Sequence, residues 1–331
     1  RALGRLADDF LSIEDKPGFL LLFLTAFLVL LSYEMVRPVS NGALNSAWGA
    51  IGLPYAWILT AVLGIPIIWL FNRLLGRLGV AGMFSGVVLL VTGLIFVFSW
   101  WLATAPRSAS LLLYSWKDIY ILLLVEQIWA LANATFSARQ ARWLYGLFTT
   151  SGSLGALGGN ALVAWLPSAL AQPGSEGSYT LLSFSLVPHL LLLLAFLGAV
   201  SRSRGVVSCA QPAPRHRDPF RKGSGIAHFR EHPFLVGLLL VVVLVQLTTS
   251  LCDFQLTSYI KHQITGLDAR SAYFGQLYFW VNIASFLLQL LAVPLALHFL
   301  GVFGTHLTVP LLLFAGFSGL LLSPGLALLS L

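Results

Sequence analysis

Apolar residues in this chain run in long blocks separated by short polar segments. About nine such blocks follow Pro17, over residues 18–36, 53–75, 80–102, 119–136, 145–166, 181–200, 234–260, 273–298 and 305–322, and a tenth begins at Gly325. A bilayer core of ~30 Å needs roughly 20 helical residues at a 1.5 Å rise, which is about the length of each block. Within lipid every backbone N–H and C=O has to be paired internally, and these blocks are far too long for barrel strands, so each predicts a transmembrane helix. The polar, mixed-charge stretch 1–16 does not resemble a cleavable signal peptide. A chain that opens on Arg1 and stops in apolar sequence reads as a fragment, at least at its C-terminal end.

Composition agrees with the blocks. Hydrophobic residues make up 58% of the 331 and charged residues only 9%, against about 25% charged in soluble domains, and mean hydropathy is +0.87. Charge placement adds an orientation. With the N-terminus in the cytoplasm, 14 of the 19 Lys and Arg residues fall on the inner side and 4 outside, with Lys117 near the outer edge of the fourth block. Tyr55, Trp57, Trp100, Trp101, Trp116 and Trp165 then collect at the outer interface, where amphipathic rings favour the headgroup level. The net charge of +7 is thus a topology signal dispersed over loops, and no nucleic-acid partner is expected. The expected location is a bacterial inner membrane. Cys209 and Cys252 lie on different sides of the membrane boundary, so no disulfide is expected.

One long polar segment interrupts the blocks. It predicts three parts: a six-helix bundle over 1–200, a basic cytoplasmic connector over 201–233, and an incomplete bundle over 234–331. That layout is similar to the major facilitator transporters, whose halves are parallel repeats. The expected fold is an all-α polytopic bundle with about nine of twelve helices. Arg77-Leu78-Gly79-Val80 and Phe299-Leu300-Gly301-Val302 follow corresponding blocks, a weak trace of such a repeat.

An ionisable residue inside a span costs roughly 2.5–3.5 kcal/mol at the helix centre, so each one marks a functional position. Glu34 and Arg37 are three apart, share a helix face and are placed to pair; Pro38 then ends or bends that helix near its outer side. Arg37 suits planar recognition of a carboxylate or phosphate. Glu126, Ala130 and Asn133 make a polar stripe by i, i+4, i+7 spacing, expected to face a cavity. Asp253, with Gln255 beside it, offers a charge in the second half, and Asn282 and Gln289 are spaced to line the same cavity. The bland alternatives are a self-neutralising pair and interhelical hydrogen bonds of ~0.6 kcal/mol each.

Ser151-Gly152-Ser153-Leu154-Gly155-Ala156-Leu157-Gly158-Gly159 has the look of a phosphate loop but lacks the Lys-Ser/Thr that would complete one. Ser151, Gly155 and Gly159, four apart, predict instead close helix packing. No zinc-hydrolase, serine-hydrolase or Cys-x-x-Cys pattern occurs, and the histidines have no matching ligands, so neither enzyme nor metal nor cofactor is expected.

The run Gln127-Ile128-Trp129-Ala130-Leu131-Ala132-Asn133, the turn Arg139-Gln140-Ala141-Arg142 and the following Gly152-Ser153-Leu154-Gly155-Ala156 resemble the bacterial and plastid ATP/ADP antiporter family, which groups with the major facilitators. Tyr33, Arg37-Pro38, Leu53-Pro54-Tyr55, Asp253-Phe254-Gln255 and Phe274-Gly275-Gln276-Leu277-Tyr278-Phe279-Trp280 extend the likeness over most of the chain. The resemblance implies a secondary transporter working by alternating access on a nucleotide or other organic anion. Its partners would be a small-molecule substrate and the lipid bilayer, with no obligate protein partner. The expected site residues are Glu34, Arg37, Glu126, Asn133, Asp253, Gln255 and Asn282. The chain departs from the family at Ser40-Asn41, where a basic-acidic pair is common, and at Leu256-Thr257, where a Lys tends to stand. Arg37 is left as the main cation, with Lys261 one turn beyond. The alternative is a proton-coupled major facilitator carrier of a non-nucleotide solute, because buried carboxylates serve as proton relays. An intramembrane enzyme predicts a clustered catalytic set that the sequence lacks, and a lipid scramblase predicts a polar groove facing lipid.

Overall fold

A computed structural model describes residues 16–135, 138–173, 175–202, 233–288, 299–301, 304, 308, 311–312 and 315. The helices are α1 (Lys16–Trp48), α2 (Gly52–Thr104), α3 (Pro106–Thr135), α4 (Ala138–Trp165), α5 (Pro167–Leu170), α6 (Gly177–Phe184), α7 (Leu186–Arg202), α8 (Pro233–Gln263) and α9 (Leu267–Leu287). No strand occurs among the described residues. The chain divides into two compact units, Arg1–Phe279 and Trp280–Leu331. The expected connector lies almost wholly outside the described residues.

Five of the described helical stretches are long and apolar enough to cross a membrane. Their outward surfaces say the same. Ile58 is 64% exposed, Ile65 74% and Leu194 65%, and such continuous apolar surface is stable against acyl chains and not against water. This is an all-α membrane-embedded protein. At 53 residues α2 would measure about 80 Å, too long for one crossing. Gly79 breaks it with φ 68° and ψ 174°, a backbone conformation open to glycine, so its two arms cover the blocks read at 53–75 and 80–102.

Several helix boundaries differ from the hydropathy reading, and three of them have a direct physical cause. Pro38 does not end α1, which runs on to Trp48. The missing proline N–H costs one ladder bond, to the Glu34 carbonyl, yet the polar turn beyond it is buried against other helices and stays helical: Ser40, Asn45 and Leu44 are all buried. The fourth block starts at Pro106 rather than at 119, because Ser, Lys and Asp residues depress the hydropathy of a segment that is helical and half-buried. The sixth block is two helices meeting at Ser185, where Pro188 denies the Phe184 carbonyl its usual donor.

The tightest packing joins α1 and α4. The Ser151 hydroxyl donates to the Phe23 carbonyl at 2.9 Å, and Gly155 and Gly159 press on the carbonyls of Phe27 and Leu31. Each step of four on one helix meets a step of four on the other in the same direction, so the helices run parallel, with the backbones in contact as the small-residue stripe predicts. The remaining core is aliphatic and aromatic: Phe84 stacks on Phe196 at 3.9 Å, and Tyr120 is wholly buried among Tyr33, Trp116 and His189.

Candidate functional site

Glu34 and Arg37 pair as their spacing predicts, with Nη1 3.1 Å from Oε1. The second Glu34 oxygen accepts from Asn160 Nδ2 on α4, also at 3.1 Å. Glu34 is buried at 5% exposure, whereas the Arg37 side chain keeps 32%. The guanidinium lies 3.8 Å above the ring of Tyr278 on α9, whose hydroxyl meets Asn41 Nδ2 at 2.6 Å. One edge of the guanidinium is therefore committed to Glu34 and one face to Tyr278, while the side chain keeps partial exposure.

A second cation stands in the same layer. Lys117 on α3 is buried, donates to Asp118 at 2.6 Å, and lies 3.7 Å over the ring of Tyr114. Tyr114 and Tyr278 in turn line one small cavity of about 20 Å³ together with Asn41, Asn45, Asp253 and Thr257. Arg37 lies eleven residues before the end of α1, Lys117 eleven into α3, Asp253 ten before the end of α8 and Tyr278 eleven into α9. All four sit about 15–17 Å from their shared end at a rise of 1.5 Å per residue.

That shared end is closed by polar contacts. The Trp48 indole donates to the Arg107 carbonyl at 2.8 Å, Asn45 Nδ2 to the Thr257 carbonyl at 2.8 Å, and Lys261 Nζ to the Ser46 carbonyl at 2.8 Å. Arg270, buried at 7%, donates to the Ser46 hydroxyl and to the carbonyls of Ile264 and Lys261. Gly42 touches Ser271, and Gly275 touches the backbone of Ala164. The opposite stretch of α8, residues 236–247, is exposed on every side. Lys261, read from sequence as a stand-in cation for the cavity, is thus engaged in closure.

No protein-family model matches this chain, and no curated protein or solved structure matches it either.

The site residues read from sequence divide accordingly. Glu34, Arg37 and Asp253 are in or beside the cluster. Gln255 is exposed and does not line the cavity. Glu126 is exposed on a face of α3 that also carries Leu122 and Ala130, while Gln127, Ile128 and Leu131 pack inward; it does not join the cluster. Asn282 belongs to the second compact unit. Asn133 and the Arg139-Gln140-Ala141-Arg142 run have side chains outside the described residues, as does Gln289. Sequence reasoning missed Lys117, Asn160, Asn45 and Tyr278 as site groups. Asn160 carried the clearest signal, an amide directly after the glycine stripe in an otherwise apolar run.

Asp268 completes the closed end by accepting from the backbone N–H groups of Gly177 at 2.8 Å and Ser178 at 2.7 Å, the first turn of α6. Those donors have no intrahelical partner, and a carboxylate there also meets the positive end of the helix dipole. Asp268→Ala is expected to lower the thermal unfolding temperature, by about 1–2 kcal/mol of lost capping; an unchanged melting curve would show that the clamp contributes nothing. Partial burial first, and then the Asp268 charge, hold the neighbouring Glu176 carboxyl above its ordinary 4.5. A raised carboxyl binds its proton more tightly in the folded state, so its contribution is complete below the unfolded value and fades as pH climbs through the raised one.

Proposed function

We propose that this protein is a secondary transporter working by alternating access, with a small organic anion anchored by Arg37. The observation carrying this reading is the layer of ionisable groups, Glu34, Arg37, Lys117, Asp118 and Asp253, gathered near the middle of long apolar helices beside one closed end. Charges at that depth are costly unless they line a pathway, and carrier sites lie near the bilayer midplane. Arg37 is the anchor because its planar fork is pre-organised by stacking on Tyr278 and its side chain is about a third exposed. The likeness of Tyr33, Arg37-Pro38 and the Phe274–Trp280 run to ATP/ADP antiporters supports the anion class and places nucleotides first among substrates to try.

Opening would separate α1 from α8 and α9 at the Ser46, Thr257 and Lys261 contacts. Gly42→Leu should wedge that end apart, because the new side chain meets Ser271 on α9. In a variant whose native cysteines are serine, a cysteine at Ala47 should then react several-fold faster with a water-soluble maleimide. Equal labelling rates with and without the Gly42→Leu substitution would argue against a gate there. A proton-coupled carrier is the second reading, favoured by Asp253, which has no ion pair among the described residues.

Proteoliposomes holding the full chain separate the two. Counter-exchange of labelled nucleotides, phosphate esters and dicarboxylates without a pH gradient supports the first, and uptake only under an imposed pH gradient supports the second. Transport that survives unchanged in Arg37→Gln would remove the anchor role.

A further inference from the structure

We propose that the 20 Å³ cavity beside Tyr114 and Tyr278 binds a monovalent cation about the size of a water molecule. The proposal goes beyond the anion reading, since Arg37 takes no part in it. Three observations converge on one place.

The polar lining is oxygen-rich and acceptor-rich. Asn45 is completely buried, and its amide nitrogen is fixed on the Thr257 carbonyl, so the atom left over is its carbonyl oxygen. That oxygen has no hydrogen-bond partner among the described residues, and neither does the side-chain oxygen of Asn41. A buried acceptor left unpaired is costly. The two asparagines that carry these acceptors line the same cavity as Asp253, a residue set whose oxygens suit a hard cation.

Charge bookkeeping points the same way. Arg37 and Lys117 lie within electrostatic reach of Asp253, but each is matched by a carboxylate of its own, Glu34 and Asp118. With both pairs neutral, the sum over the five groups is one negative charge, carried by Asp253, which forms no ion pair among the described residues.

Size then selects the ligand. Organic substrates occupy pockets of roughly 300–1,000 Å³, whereas this cavity holds one body about as large as a water molecule. Asp253 is exposed on one side, which leaves its carboxylate reachable. Because Asn41 and Asn45 sit on α1 and Asp253 on α8, a bound cation ties the two helices together at the layer they must separate to open. Occupancy therefore favours the closed end and couples the ion to the carrier's cycle. The cation is either an inorganic ion such as sodium or the ammonium group of an organic molecule.

The test is thermal unfolding of the purified full chain in detergent at fixed pH and ionic strength, with choline replaced stepwise by sodium, ammonium or methylammonium. At least one of these should raise the unfolding temperature saturably above choline, as mass action requires for a ligand of the folded state. Sodium acting alone identifies an inorganic ion, and methylammonium matching or exceeding sodium identifies an amine group; either supports the site. Asp253→Asn preserves shape and should weaken the apparent affinity at least tenfold. No ion outperforming choline, or an undiminished response in Asp253→Asn, overturns the proposal. Arg37→Gln keeps the cation response while losing anion transport, so the site and the anion reading fail separately.

Discussion

Gly155→Leu is expected to leave no folded bundle. A side chain at this position starts inside the Phe27 carbonyl oxygen, with the Phe27 carbon at 2.9 Å and the Leu31 nitrogen at 3.1 Å. All of these are backbone atoms of α1, so no rotamer change relieves the collision. Overpacking a core against movable side chains costs about 1–3 kcal/mol, and a rigid backbone neighbour puts this substitution at more than ~3 kcal/mol. The alternative, separating α1 from α4, breaks the Ser151–Phe23 and Asn160–Glu34 bonds together. Expression in membranes followed by size-exclusion chromatography reads the outcome. A monodisperse peak with the wild-type unfolding temperature would mean that the helices do not touch here. Gly146→Leu, on the same helix with nothing within 4 Å of the added carbon, is the matched control and should fold.

Arg37→Gln should abolish transport and lower stability together, and the two effects can be separated. Removing one partner of a buried pair costs about 3–5 kcal/mol, chiefly because the other charge is left unmatched. Arg37 is a third exposed and solvent screens part of its field, so ~2 kcal/mol is the expected loss. Asn160 still donates to Glu34 and limits the damage. The double variant Glu34→Gln/Arg37→Gln removes both charges and should recover most of the unfolding temperature, while transport stays absent. A double variant that carries substrate as well as the wild type would reduce the pair to a structural role.

Particular residues show how far the chain could be read. The pairing of Glu34 with Arg37 was legible because it is local, set by three residues of helix. The Ser151, Gly155, Gly159 stripe was legible because small residues at a fixed period have few other uses in lipid. At Lys117 the hydropathy average drops over Ser108, Ser110, Ser115 and Asp118, so the apolar block begins at 119 although the helix begins at Pro106. The place of Lys117 eleven residues inside the helix follows only from the helix beginning at Pro106. Glu126 shows the converse. Its spacing with Ala130 and Asn133 suggests a stripe facing a cavity; Glu126 is exposed, and α3 packs through the neighbouring face of Gln127, Ile128 and Leu131.

The amino-acid order alone determined that this is a helical membrane protein, because desolvating an unpaired backbone in hydrocarbon leaves no other solution for apolar blocks of that length. It also set the Glu34–Arg37 pair and the close approach of a glycine-bearing helix to another. Which helices meet, and which polar groups share a cavity, was decided by tertiary packing. A lipid-facing surface is as apolar as a buried one, so the periodicity that marks the inner face of a soluble helix is missing here. The joining of Asn45, Lys117, Asp253 and Tyr278 from four helices exists only once those helices are side by side.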